Sequence, residues 1–101
     1  MIVCFDIGGT AIKGALAYSA DDIRPFPRQP TPLHDFGAFV ATLASVISEA
    51  ETQAGKRPDC IALSIAGVID PDTSNATVAN IPCIHGRPLQ ADLERALNLP
   101  V

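Results

Sequence analysis

The chain has 101 residues, 48% hydrophobic and 18% charged, the profile of one soluble globular domain rather than a disordered segment. Its net charge of −4 argues against nucleic acid or an anionic membrane as a main partner, and no apolar run is long enough to span a bilayer. The first segment lacks a basic start and contains Asp6, so it does not read as a signal peptide. Cys4, Cys60 and Cys83 are odd in number and widely spaced, with Cys4 and Cys60 inside apolar runs. That usage predicts buried free thiols in a reducing, cytoplasmic compartment.

Residues 2–7 form an apolar run bounded by Gly8-Gly9, which predicts a buried strand. Ala11 to Tyr18 alternates, with Ile12, Gly14, Leu16 and Tyr18 on one face and Lys13 on the other, so a hairpin is favoured over strand–turn–helix. Ser19 to Asp22 reads as a polar turn. Pro25, Pro27 and Pro30 lack amide donors and confine any strand between Ile23 and Thr31 to a sheet edge. Phe36, Phe39, Val40, Leu43, Ile47 and Ala50 mark one face of a helix, with Asp35 as N-cap and Gly55 just past its end.

Cys60 to Ala66 then predicts a strand covered on both faces, ended by Gly67. Asp70-Pro71-Asp72-Thr73 is turn chemistry leading to a return strand near Thr77-Val78-Ala79. Pro88 near an N1 position opens a last helix with Leu89, Leu93, Ala96 and Leu97 on one face. Val101 looks like the start of another strand, and the chain reads as the front part of a larger α/β protein.

Asp6 at the end of an apolar strand demands a partner or solvent, because burying a lone carboxylate costs several kcal/mol. The glycine pair behind it lets backbone amides approach an anion closely. A P-loop is excluded, since no GxxxxGK[ST] occurs, and GxGxxG opening a helix is absent. Asp-x-Gly-Gly-Thr between two strands remains, a pattern that also fits a plain hairpin turn with Asp6 as an Asx cap.

Phe5 to Gly14, Ile65 to Pro71, Ala79 to Pro82 and Gly86 to Leu89, with Leu97 to Val101 after them, resemble in order four segments of the ROK family (repressors, open reading frames, kinases). The resemblance implies an α/β, ribonuclease-H-like (actin-like) ATPase domain. Its mixed sheet would carry an N-terminal β-hairpin and a crossover helix. Residues 1–101 would be an incomplete domain, ending before the catalytic strand, with no second domain.

The resemblance further implies ATP and Mg²⁺ as cofactors. Asp6, Ile7, Gly8, Gly9, Thr10 and Ala11 would hold the phosphates, and Asp6 would hold the metal through water. Ala11 departs from the family's frequent lysine. Lys13 projects from the same strand face and is a candidate for the missing charge, its plain reading being a solvated lysine. Gly67 and Asn80 match sugar-side positions. Asn80, whose amide both donates and accepts, could otherwise cap a turn. Asp70 shapes its turn, His34 reads as structural, His85 as an exposed loop histidine and Cys83 as a weak pocket candidate.

The likeness is greatest to bacterial N-acetylglucosamine kinases, which implies transfer of phosphate from ATP to the 6-hydroxyl of an N-acetylhexosamine or hexose. The partners would be sugar and ATP, with no nucleic acid or membrane and with homodimers as a family habit. The catalytic aspartate and a structural zinc site would lie beyond Val101, leaving the chain alone inactive. A sugar-responsive repressor of the same family is the alternative, although no helix-turn-helix precedes the hairpin.

Overall fold

In a computed structural model that describes residues 1–101, β1 (Ile2–Ile7) and β2 (Ala11–Ser19) form the antiparallel hairpin that the alternation predicts. The Gly8 amide donates to the Ala11 carbonyl at 3.0 Å and closes the turn over Gly9 and Thr10. β3 (Asp22–Pro25) and β4 (Gln29–Pro30) both pair antiparallel to β2 and share its outer edge, where their prolines need no partner. After α1 (Phe36–Ala54) the chain returns as β5 (Cys60–Ile65), parallel to β1. The path β3-β2-β1-β5 is a mixed sheet, as the fold expectation requires.

α1 is capped at both ends as its sequence predicts. The Asp35 carboxylate accepts from the Ala38 amide at 3.1 Å, and Gly55 takes φ 72° while donating to the Glu51 carbonyl. Its buried face is Phe39, Leu43, Val46, Ile47 and Ala50. Val46 is the residue that periodicity missed, and Gly14 explains it. A Cβ on Gly14 would lie 2.7 Å from Val46 Cγ1, so β2 admits the helix only because position 14 has no side chain.

The core lies on one face of the sheet, where Val3, Phe5, Ile7, Ile12, Leu16 and Ile61 meet α1, α2 (Leu89–Leu97) and Ala76, Val78, Ile81 and Ile84. α2 is anchored by Arg57, which donates to the Leu97 and Asn98 carbonyls at 2.9 and 2.7 Å and pairs with Glu51. A cation there complements the negative helix end.

Several expectations are corrected. β5 is not covered on both faces: Ile61 is buried, but Ala62 and Ser64 are exposed, because both helices lie on the opposite side. Cys4 and Cys60 share that open face and are half-buried rather than buried. Tyr18 is 39% exposed, since a register shift between Ala17 and Ser19 breaks the alternation and Arg24 stacks on its ring. The return strand is β7 (Ala76–Thr77), paired with β6 (Val68–Ile69), slightly earlier than predicted. Pro88 is the N-cap of α2, and Ala96 faces solvent.

Asp70 turns the β6–β7 connection as expected, its carboxylate accepting from the Asp72 and Thr73 amides at 2.8 and 3.1 Å. These bonds hold its pKa below the ordinary aspartate value. A depressed carboxylate pKa means that the turn's stabilisation is present above the ordinary value and is lost as pH falls through the folded one. An NMR titration is expected to place the Asp70 midpoint below that of an ordinary aspartate, with Asp70→Asn removing that acid-range dependence.

Gly14→Ala is expected to cost about 1–3 kcal/mol through overpacking, with Val46→Ala in the same chain restoring part of it. Thermal unfolding of the parent, both single variants and the double variant measures the coupling.

Candidate phosphate-binding site

The end of the hairpin opens into a cavity of about 260 Å³ lined by Asp6, Gly8, Gly9, Thr10, Ala11, Lys13 and Arg28. Six of these are residues that the sequence points to. Asp6 and Lys13 are direct cross-strand partners on the open face of the sheet, both exposed. Exposure resolves the cost of a carboxylate in an apolar strand: Asp6 sits where water or a cation reaches it. The Gly9 and Thr10 amides donate to no acceptor within the chain. They stand at the turn as two free donors for an anion.

Ile7 is the exception among the phosphate candidates. Its side chain is wholly buried in the core, so only its backbone belongs near the loop. Asn80, by contrast, is brought to the site from far along the chain. A Cβ on Gly9 would lie 2.8 Å from Asn80 Nδ2, which makes the second glycine a close-approach residue as well as a turn residue. Gly67 does not line the cavity. A side chain there would strike the Thr77 carbonyl at 2.6 Å and Val78 Cγ2 at 2.7 Å, so the packing of the return segment requires the glycine.

Asn80 is held by the segment around it. The Ala76 amide donates to the Arg87 carbonyl at 2.8 Å, and the Gly86 amide to the Ala76 carbonyl at 2.7 Å. His85 is exposed, as expected, yet its Nδ1 accepts from the Val78 amide at 3.1 Å, a role that sequence reading did not supply. Val78, Ile81 and Ile84 point into the core and leave Asn80 facing out toward Gly9. The Cys83 amide donates to the Leu33 carbonyl at 2.9 Å, and the Arg87 guanidinium covers the Phe36 ring at 3.8 Å, so the segment is tied to the start of α1. The Cys83 thiol donates to the Pro32 carbonyl, and burial pushes its pKa up, which makes it a packing group rather than a nucleophile. His34 is exposed and makes no side-chain hydrogen bond.

Thr31 and Arg28 were also missed. Thr31 is 8% exposed; its hydroxyl donates to the Gly8 carbonyl at 2.7 Å and its amide to the Thr10 carbonyl at 3.2 Å. The hairpin turn is thus propped from the proline-rich arm. A signal existed in the sequence: Thr31 stands between Pro30 and Pro32, and Arg28 is the one cation from Pro25 to Pro32.

The donor set fits magnesium. Asp6 is a solvent-facing carboxylate outside all five ion pairs of the chain, and no cluster of three acidic, histidine or cysteine side chains forms a protein cage. Magnesium keeps much of its water and is held by one or two carboxylates plus substrate phosphates, which is what this cavity offers. A larger cavity of about 350 Å³ along β5 has seven hydrophobic lining residues and only Gln90 as a polar one, so it suits no polyphosphate.

A mixed sheet with this hairpin and crossover helix is the actin-like ATPase architecture, and solved structures of that fold match. The ROK hexokinase from Thermus thermophilus superposes with a TM-score of 0.81 at 29% identity, over 99% of this chain and 33% of that one. A ROK family glucokinase from Streptomyces griseus, in complex with glucose and AMPPNP, gives a TM-score of 0.78 at 24% identity, over 99% of this chain and 31% of that one, and speaks for the fold.

The ROK family profile matches residues 2–101, and the chain belongs to that family. It is 35% identical over 96 residues to the N-acetylgalactosamine kinase AgaK of Shewanella sp. (strain ANA-3), covering 95% of this chain and 30% of that protein. It is 32% identical over 97 residues to the N-acetyl-D-glucosamine kinase of Salmonella paratyphi A, covering 96% and 32%. The chain therefore spans about a third of the length of the curated relatives it matches.

Thr31→Val keeps the shape and removes the hydroxyl from Gly8. It is expected to cost about 0.5–1.5 kcal/mol and to speed hydrogen exchange of the Gly8 amide, read by NMR.

Proposed function

We propose that the protein carrying this chain is an ATP-dependent sugar kinase that phosphorylates the 6-hydroxyl of N-acetylglucosamine or a related hexose. Residues 1–101 form the N-terminal part of its ATPase domain. The observation that carries this reading is the contact of Asn80 with Gly9. It sets an amide able to bind hydroxyl groups against a turn whose free amides suit phosphates. Phosphoryl transfer needs that juxtaposition, because its catalysis rests on positioning and electrostatic stabilisation. The identity with N-acetylgalactosamine and N-acetyl-D-glucosamine kinases supports the substrate class.

The roles follow from the chemistry of each group. The Gly9 and Thr10 amides bind phosphate oxygens, and the Thr10 hydroxyl lines the same cavity. Asp6 holds magnesium through water, and the metal, when bound, neutralises charge on the phosphates. Asn80 orients sugar hydroxyls toward the phosphate end, with Gly67 keeping the return segment close behind it. Asp6 is the only carboxylate lining the cavity, and a metal-holding carboxylate is poorly suited to accept the hydroxyl proton. We therefore place the general base outside these 101 residues, and the chain alone is inactive.

A coupled ADP-release assay on the sugar-kinase protein tests this with N-acetylglucosamine, N-acetylgalactosamine, N-acetylmannosamine and glucose. The highest kcat/KM is expected for N-acetylglucosamine, and ADP release with none of the four would sink the reading. Asn80→Ala is expected to raise the sugar KM about tenfold while the ATP KM stays put.

A further inference from the structure

Five arginines occur in the chain, and four of them, Arg24, Arg57, Arg87 and Arg95, have a carboxylate partner. Arg28 does not. It lines the phosphate cavity instead, together with Lys13, which is also outside every ion pair. The cavity lining brings the two cations together. Ala11 pairs with Pro30 and Ile12 with Gln29, and Lys13 and Arg28 are the residues just beyond that last pair, both on the lining of the same cavity. Lys13 is in turn opposite Asp6. Asp6, Lys13 and Arg28 are therefore the three charged residues around the mouth of the turn.

Two like charges on the lining of one cavity repel each other. Asp6 carries one negative charge, stands opposite Lys13 and forms an ion pair with neither cation. The arrangement is uncompensated within the protein, and an anion of more than one charge would compensate it. The arm that carries Arg28 is stiff and tied to the turn. Pro25, Pro27, Pro30 and Pro32 restrict its backbone, the Phe26 amide donates to the Gly14 carbonyl at 2.9 Å, and Thr31 holds Gly8 and Thr10. Little ordering entropy is then lost when the guanidinium meets a ligand, and its planar fork matches phosphate oxygens two at a time.

We propose that Arg28 is a phosphate-binding residue of this site, closing it from the arm side and sharing with Lys13 the polyphosphate of the nucleotide. The proposal rests on the kinase reading for the identity of the ligand. It supplies the positive charge that Ala11 does not bring to the loop.

The test uses the same protein with magnesium and inorganic tripolyphosphate as the probe, followed by titration calorimetry at several salt concentrations. Arg28→Gln is expected to weaken tripolyphosphate binding about tenfold and to flatten its salt dependence. Arg28→Lys is expected to recover part of the loss. Without ligand, the Arg28→Gln protein is expected to melt no lower than the parent, because a repulsion has been removed. The ATP KM is expected to rise with the loss of tripolyphosphate affinity, and the sugar KM to hold.

Tripolyphosphate affinity unchanged to within about twofold in Arg28→Gln, or no binding by the parent, overturns the proposal. The two readings fail separately. A parent that phosphorylates no sugar, but loses tripolyphosphate affinity on Arg28→Gln, sinks the kinase reading and keeps the anion site. An active kinase indifferent to Arg28→Gln sinks only the role of Arg28.

Discussion

The pairing of Ile7 with Ile12 across the turn governs both faces of this molecule. Because strand side chains alternate, that one register sends Val3, Phe5, Ile7, Ile12, Gly14 and Leu16 toward the helices. The same register sends Asp6 and Lys13 to the open side. A slip of one residue would bury the charges and strip the core of its floor. Core and site are therefore not separate achievements of the fold. The hydrophobic demand that fixes the hairpin also aims the polar groups, and the close meeting of Gly14 with Val46 locks the result against α1.

Around this hairpin the site is built from distant pieces. The proline arm brings Thr31 beneath the turn and Arg28 to the cavity that Lys13 lines, while the segment after β7 brings Asn80 to Gly9. Each piece is held by backbone hydrogen bonds or by the core rather than by surface ion pairs, which contribute little. The exposed side chains can thus face a ligand while their backbones stay put. Such preorganisation leaves little of the protein to be ordered when a ligand arrives.

Much of the architecture was legible in the residues. Alternation in Ala11–Tyr18, the helical spacing from Phe36 and the caps Asp35 and Gly55 all report local geometry, and local geometry is where sequence pattern is strongest. What was missed depends on tertiary placement. Val46 is inward only because Gly14 lies beneath it, and β5 is bare on one side only because of where the helices lie. Of the site, the loop from Asp6 to Lys13 was readable as a motif. Arg28 and Thr31 stood out only as the one cation and the one hydroxyl among the prolines, and nothing local says that this stretch meets β2 at the turn. Ile7 was assigned to the loop by its position in the motif, whereas its side chain obeys the strand's alternation and goes inward.

The prolines at the edge of the sheet have a consequence for association between molecules. An outer strand with free amides is a template on which a second chain can lay another strand. Along residues 22–30, Pro25, Pro27 and Pro30 offer no such donors, and the chain leaves β3 before resuming as the short β4. The opposite border is β5, regular over six residues and met there by the Pro100 carbonyl, which accepts from the Ile61 amide at 2.8 Å. The two borders thus differ in their capacity for growth: the one interrupted by prolines is the poorer template for a further strand, and the regular strand β5 is the better one.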